Sequence, residues 1–133
     1  MQQQKRVNEV QIIGNINVSI FEKEFGKLQS SEVVLTIERE AHIKAHHNDD
    51  YHLFEIYSKE IVSTPDIVLC DEKNVGTVFM IKRLPNTNLN AVIRLALESD
   101  IEGRKNSIMT FYRIRESNLD KLISKNKTIY KKE

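Results

Sequence analysis

Cysteine, glycine and proline are scarce in this sequence, which has one, four and two of them among 133 residues. A lone cysteine, Cys70, excludes an internal disulfide. Its place in the apolar run Ile67–Cys70 predicts a buried, inert thiol and a reducing compartment. Few Gly and Pro residues, and no tract dominated by one residue type, argue against a largely disordered chain.

Long apolar runs are also missing. The longest have about four residues, whereas roughly 18 to 20 are needed to cross a bilayer. The start Met1-Gln2-Gln3-Gln4 lacks the apolar core of a signal peptide, so we expect no membrane partner. The apolar share of 40% predicts a single folded domain over residues 1–133, with residues 1–6 and 125–133 flexible.

The formal net charge is only +1, which gives little support for a nucleic-acid partner, because non-specific affinity comes mainly from Lys and Arg that neutralise phosphates. The distribution of charge is less even. Residues 101–133 hold nine Lys and Arg against four acidic residues, a local charge of +5. This basic end fits a phosphate-rich partner, and it equally fits solvated surface lysines.

The pattern along the chain predicts an α+β domain. Residues 7–20 read as one or two strands and residues 21–30 as a turn or loop. Two successive helices follow, the first from Thr36 and the second up to Thr64-Pro65. Four strands come next, over residues 66–70, 75–84, 89–97 and 107–114, and then a final amphipathic helix. We therefore expect N-terminal strands and two helices packed on a roughly four-stranded antiparallel sheet, with a C-terminal helix.

All four histidines of the chain, His42, His46, His47 and His52, fall within eleven residues. Imidazole has an ordinary pKa of roughly 6.5, so two histidines can act as base and acid in one reaction. A polar helix face that carries several imidazoles would look the same. Zinc is a further alternative, since histidines at i and i+4 can chelate it with Asp49 or Asp50, but HExxH is absent.

The last predicted strand offers two hydroxyl groups on one face, Thr110 and Tyr112, because side chains alternate along a strand. Together they could reach one phosphate, although both are also simply good strand formers. Lys82 and Arg94 on earlier strands are candidate substrate-binding residues for phosphate. Exposed strand positions are often basic without such a role.

The order of these motifs resembles the phage-associated nuclease families grouped with barnase, EndoU, colicins and RelE. The resemblance covers residues 32–114, about two thirds of the chain. It is carried by Val33-Val34-Leu35-Thr36, His42-Ile43 with His47 five residues on, Thr64-Pro65-Asp66, and the closing strand from Asn106 to Tyr112. The pattern of these families tends to have a proline after the second histidine, whereas this chain has Asn48. His46 could therefore be the catalytic residue in place of His47.

The resemblance implies a metal-independent endoribonuclease without a cofactor, in which His42 and His47 transfer protons and Thr110 and Tyr112 assist. His46, Lys82 and Arg94 would bind substrate. It also implies tRNA or rRNA as the partner, an inhibitory protein, toxicity, and a place in the bacterial cytoplasm or on a phage particle. The main alternative is a non-catalytic phage protein on the same scaffold that binds RNA or a host protein, because a fold does not fix its function.

Overall fold

A computed structural model describes residues 10–133. The expected flexibility of residues 1–6 lies outside this range. In the described part, no helix is both long enough and apolar enough to cross a membrane.

The predicted α+β class is confirmed, but the sheet is larger than expected and mixed. It has seven strands in the order β1-β2-β6-β5-β4-β3-β7, and all neighbours are antiparallel except β2 and β6. The strands are β1 (Val10–Asn15), β2 (Glu32–Thr36), β3 (Ile67–Cys70), β4 (Thr77–Arg83), β5 (Asn88–Arg94), β6 (Asn106–Ile114) and β7 (Lys127–Lys131).

The four predicted strands correspond to β3–β6. The prediction of roughly four antiparallel strands was wrong in detail because β1, β2 and β7 join the same sheet. β2 lies parallel to β6 through Val33 and Val34, opposite Asn106 and Ser107. Such a long-range parallel pairing leaves no turn signal in the sequence, because the connection between the two strands is long.

Four helices accompany the sheet: α1 (Val18–Phe25), α2 (Ile37–His46), α3 (Tyr51–Ser63) and α4 (Glu116–Lys125), with a single 3-10 turn at Asn48–Asp50. The two successive helices and the C-terminal helix were predicted. Residues 21–25 of the loop expected over residues 21–30 instead belong to α1, and α1 also takes residues 18–20 from the segment expected to form strands. Asn17 caps its start by accepting a hydrogen bond from the Ser19 amide, and Gly26, at φ 78°, ends it.

The two faces of the sheet carry different cores. On one face, the main core gathers side chains from α1, α2 and α3 against the sheet, including Phe21, Ile43, Phe54, Ile61 and Phe111. On the other face, Leu119 of α4 packs in a smaller core with Ile67, Leu69, Ile81 and Ile114. We call these the main-core face and the α4 face.

The tail also differs from the prediction of a flexible segment over residues 125–133. Residues Lys127–Lys131 form β7, which is antiparallel to β3. Ile129 and Tyr130 are partly buried against the main core, and Lys127 pairs with Glu24 of α1 at 2.7 Å. The sequence signal was weak because only these two apolar residues interrupt a run of lysines and polar side chains.

Helix α2 lies along the part of β6 that β2 does not cover. The Arg39 guanidinium donates to the Met109 carbonyl at 3.3 Å. Further along β6, the Arg113 amide donates to a carboxylate oxygen of Asp50 at 3.0 Å. Side chains thus satisfy backbone groups at an open strand edge, which would otherwise be free to pair with another chain. This arrangement brings the end of α2 next to β6.

Candidate active site

The local structure of α2 fixes where the histidines lie. Thr36 accepts a hydrogen bond from the Arg39 amide at 3.1 Å and starts the helix. Ile43 is fully buried and anchors α2 to the main core. The Tyr51 hydroxyl donates to Glu40 at 2.6 Å, which ties α2 to α3. Helical structure ends after His46, so His47 leaves the helix with φ −136° and ψ 46°.

Three of the four histidines and one tyrosine form a continuous group of rings, which we call the histidine cluster: His42, His46, His47 and Tyr112. Ring centres are 4.7 Å apart for His42 and His46, and 6.4 Å apart for His42 and His47. His47 stacks on Tyr112 at 5.4 Å with an angle of 26° between the planes. The structure therefore brings together the predicted residues of α2 and β6, which are about 65 residues apart in sequence.

A buried side-chain amide on the neighbouring strand holds Tyr112 in place. The Asn90 side-chain nitrogen donates to the Tyr112 hydroxyl at 3.0 Å, and Asn90 is fully buried. Asn90 faces Tyr112 directly across the β5–β6 pair. Nothing in the sequence singles out Asn90, apart from the presence of an amide in the middle of an apolar strand.

Thr110 lies on the same face of β6 as Tyr112, as predicted, but its hydroxyl oxygen is buried and has no hydrogen-bond partner among residues 10–133. The same holds for the side-chain oxygen of Asn90. A covered oxygen has no direct contact with an external phosphate. The Thr110 hydroxyl is thus not presented at the protein surface beside the cluster.

Lys82 is not brought to the cluster. It is in register with Leu89, a main-core residue, so its side chain is on the face opposite Tyr112. Its ammonium group lies 2.9 Å from Glu60 and 3.8 Å from Asp66, and it donates to the Thr64 carbonyl.

Arg94 is also separate from the cluster. Its guanidinium contacts Asp100 at 3.3 Å and the Leu95 carbonyl. It lines a cleft of about 270 Å³ that reaches Arg39 at the start of α2. Arg94 therefore shares a cleft with Arg39, while the residues of the cluster do not line that cleft.

Arg39 is a residue that the sequence argument missed. The pKa of His42 is lowered from its ordinary 6.5 by partial burial and then by the positive charges of His46, Arg39 and His47. Arg39, His42 and His46 follow one another at spacings of three and four residues, which places them on one helix face. That spacing is the signal that could have identified Arg39.

Metal ligands and the Cys70 thiol are the other groups that could take part in chemistry. In the part of the chain from residue 10 to 133, no three His, Cys, Asp or Glu side chains are arranged to hold one metal ion. Burial raises the pKa of the Cys70 thiol to about 11, so this group stays protonated near neutral pH. The titratable chemistry of the cluster is that of its imidazoles and its phenol.

Comparison of the chain with models of protein families, with curated proteins and with solved structures finds no match.

Proposed function

We propose that the chain is a metal-independent endoribonuclease that cleaves RNA at the histidine cluster. The observation that carries the proposal is the pairing of two separate imidazoles, His42 and His47, with a hydroxyl group at Tyr112. Two histidines supply a base and an acid near neutral pH, and a neighbouring hydrogen-bond donor can stabilise charge on a phosphoryl oxygen.

The 2′-hydroxyl of RNA is the nucleophile. His42 takes its proton, the 2′ oxygen bonds to phosphorus, and the bond from phosphorus to the 5′ oxygen breaks. His47 gives a proton to the departing 5′ oxygen, which leaves a 2′,3′-cyclic phosphate and a 5′-hydroxyl end. A lowered pKa keeps His42 neutral at pH 7, as a base requires.

Charge on the phosphoryl oxygens is stabilised by Tyr112, His46 and Arg39 in this scheme. Tyr112 can donate its own proton because its oxygen already accepts a hydrogen bond from Asn90. Arg39 lies close enough to His42 to influence its pKa. Thr110 lies next to Tyr112 on the same face of β6, and its covered oxygen does not touch the substrate in this scheme. By the resemblance, host tRNA or rRNA is the proposed substrate, and an inhibitory protein is a proposed partner.

A second candidate is an RNA-binding protein that does not cleave. Three residues that were expected to stabilise the phosphate are not available to it, which favours this candidate. The Thr110 oxygen is covered, and Lys82 and Arg94 are paired with carboxylates. A catalyst normally keeps such donors free and aimed at the developing charge. Cleavage thus depends on the cluster and Arg39 alone.

The test is incubation of labelled tRNA and rRNA in EDTA with the wild type and with a His42→Ala, His47→Ala double variant. His52→Ala is the matched control, since this exposed histidine lies on α3 outside the ring contacts of the cluster. We expect fragments with 2′,3′-cyclic phosphate ends from the wild type and the control, and none from the double variant. Intact RNA at high wild-type concentration would favour the non-cleaving candidate.

A further inference from the structure

A groove with only basic charges adjoins the histidine cluster. It lies between the end of β6 and α4, and its volume is about 460 Å³. We call it the α4 groove. Its charged and apolar lining includes Tyr112, Arg113, Arg115, Lys121, Leu122 and Lys125, and no Asp or Glu lines it.

Most of these positive charges have no acidic partner in the described part of the chain. Among residues 10–133, no carboxylate lies within ion-pair distance of Arg115, Lys121 or Lys125. Arg113 differs, because its guanidinium nitrogen contacts Asp50 at 2.6 Å. Within residues 10–133 the groove therefore offers three cations without an ion pair and a fourth, Arg113, that is partly neutralised.

The placement of two lysines on α4 is unfavourable for the isolated helix. Lys121 and Lys125 are four residues apart and repel each other on the same face. Leu119 occupies the buried side of this helix. A helix that retains like charges beside a groove gains by binding an anion there, because the anion removes the repulsion.

The α4 groove and the histidine cluster share one residue. Tyr112 lines the groove and also stacks on His47. A polyanionic chain that lies in the groove and continues past Tyr112 arrives at the imidazoles. By contrast, the cleft on the other side, next to Arg39, includes Glu38 and Asp100 in its lining. Only one of the two neighbouring depressions is uniformly positive.

We propose that the α4 groove holds the nucleotides that flank the scissile phosphate of a single-stranded RNA, an inference that rests on the proposed function. Three phosphates pair with Arg115, Lys121 and Lys125. Bases lie against Tyr112 and the apolar Leu122. A single strand is required, since duplex RNA hides its bases in the stack, whereas unpaired bases are free to stack on aromatic side chains.

Binding is tested separately from cleavage with a fluorescent 2′-O-methyl oligonucleotide, which lacks the nucleophilic hydroxyl. Fluorescence anisotropy gives Kd for the single strand and for its duplex over a range of salt concentrations. The variant is Lys121→Gln with Lys125→Gln. The matched control is Lys23→Gln with Lys73→Gln, two exposed lysines on α1 and in the β3–β4 turn, with the same change of net charge.

We expect the groove variant to bind the single strand about ten-fold more weakly. Its slope of log affinity against log salt should fall by about 1.4, since each lost phosphate contact removes about 0.7 for a single strand. The control should keep the wild-type slope. Equal slopes for groove variant and control, tighter binding of the duplex, or no binding by the wild type would each overturn the proposal.

Cleavage of unmodified RNA by the same proteins separates this inference from the proposed function. Loss of binding in the groove variant, with no cleavage by any protein, would support the groove and reject the nuclease. Normal cleavage by the groove variant, with unchanged KM, would reject the groove and leave the nuclease standing.

Discussion

The side-chain amide of Asn90 donates a 3.0 Å hydrogen bond to the hydroxyl of Tyr112, and this bond links a fully buried residue to the histidine cluster. Because the tyrosine oxygen is the acceptor, its own proton stays available to a ligand. The pair fixes both the position of the phenol and the direction in which it can donate. Asn90 is thus a positioning residue for the proposed reaction.

Replacement of Asn90 by Leu, which has a similar volume, should lower kcat for RNA cleavage about five- to ten-fold. That corresponds to the loss of one hydrogen bond worth about 1 kcal/mol. Tyr112→Phe should cause a similar or larger loss. In the double variant the two losses should not add, because both remove the same hydroxyl interaction. Additive effects, measured as a double-mutant cycle on kcat, would show that Asn90 acts independently of Tyr112.

Asp50 should contribute strongly to stability. Only 8% of its surface is exposed, and its carboxylate accepts bonds from both the amide and the guanidinium of Arg113. We expect Asp50→Asn to lower the free energy of unfolding by about 1.5 to 3 kcal/mol, the range for bonds to a charged group. Asp49→Asn, next to it and exposed, is the matched control and should change stability by less than about 0.5 kcal/mol. Urea denaturation measures both, and equal effects would contradict a structural role for Asp50.

Local patterns in the sequence predicted much of the fold. The helical spacing before Pro65 gave α2 and α3, and β-branched runs gave β3 to β6. These elements are defined by side-chain periodicity, which is a property of nearby residues. The parallel contact of β2 with β6 and the addition of β7 depend on packing between distant segments. Periodicity carries no information about such partners.

For the candidate site as well, some residues could be predicted from the sequence and some features could not. His42, His46 and His47 were identified because they cluster in sequence, and Tyr112 because it shares a strand face with Thr110. The burial of the Thr110 oxygen and the ion pairs of Lys82 were not foreseen. Whether a strand residue faces an external ligand, a core or a carboxylate depends on which helix covers that face. Asp50, which was considered as a possible zinc ligand, instead forms an ion pair with Arg113.

The acid side of the pH profile should report on His42. Its pKa lies below 6.5, so a base at this position stays neutral until the pH falls below that value. We therefore expect kcat/KM for RNA cleavage to decline only below pH 6.5. Arg39→Gln removes a neighbouring positive charge, which should raise the pKa of His42 and move the decline to higher pH. Histidine NMR titration measures the pKa directly.

Lys59→Gln, an exposed lysine on α3, is the control for the pH experiment and should leave the profile unchanged. The same shift affects stability. In the folded state His42 binds its proton less readily than in the unfolded state, so its contribution to stability is present above pH 6.5 and is lost as the pH falls below it. A decline in kcat/KM that begins above pH 6.5, or does not move in Arg39→Gln, would argue against His42 as the base.

Lys82 provides a test that separates a structural lysine from a phosphate ligand. Its ammonium group is nearly buried and lies between Glu60 and Asp66 on the main-core face, away from Tyr112. Lys82→Met should leave Asp66 with less compensation and lower the free energy of unfolding by about 1 to 3 kcal/mol. RNA cleavage per folded molecule should stay within about two-fold of the wild type. Lys73→Met, in an exposed turn, should change neither quantity. If Lys82→Met instead abolished cleavage at unchanged stability, its ammonium group would have to reach the substrate in a conformation that differs from the structure described.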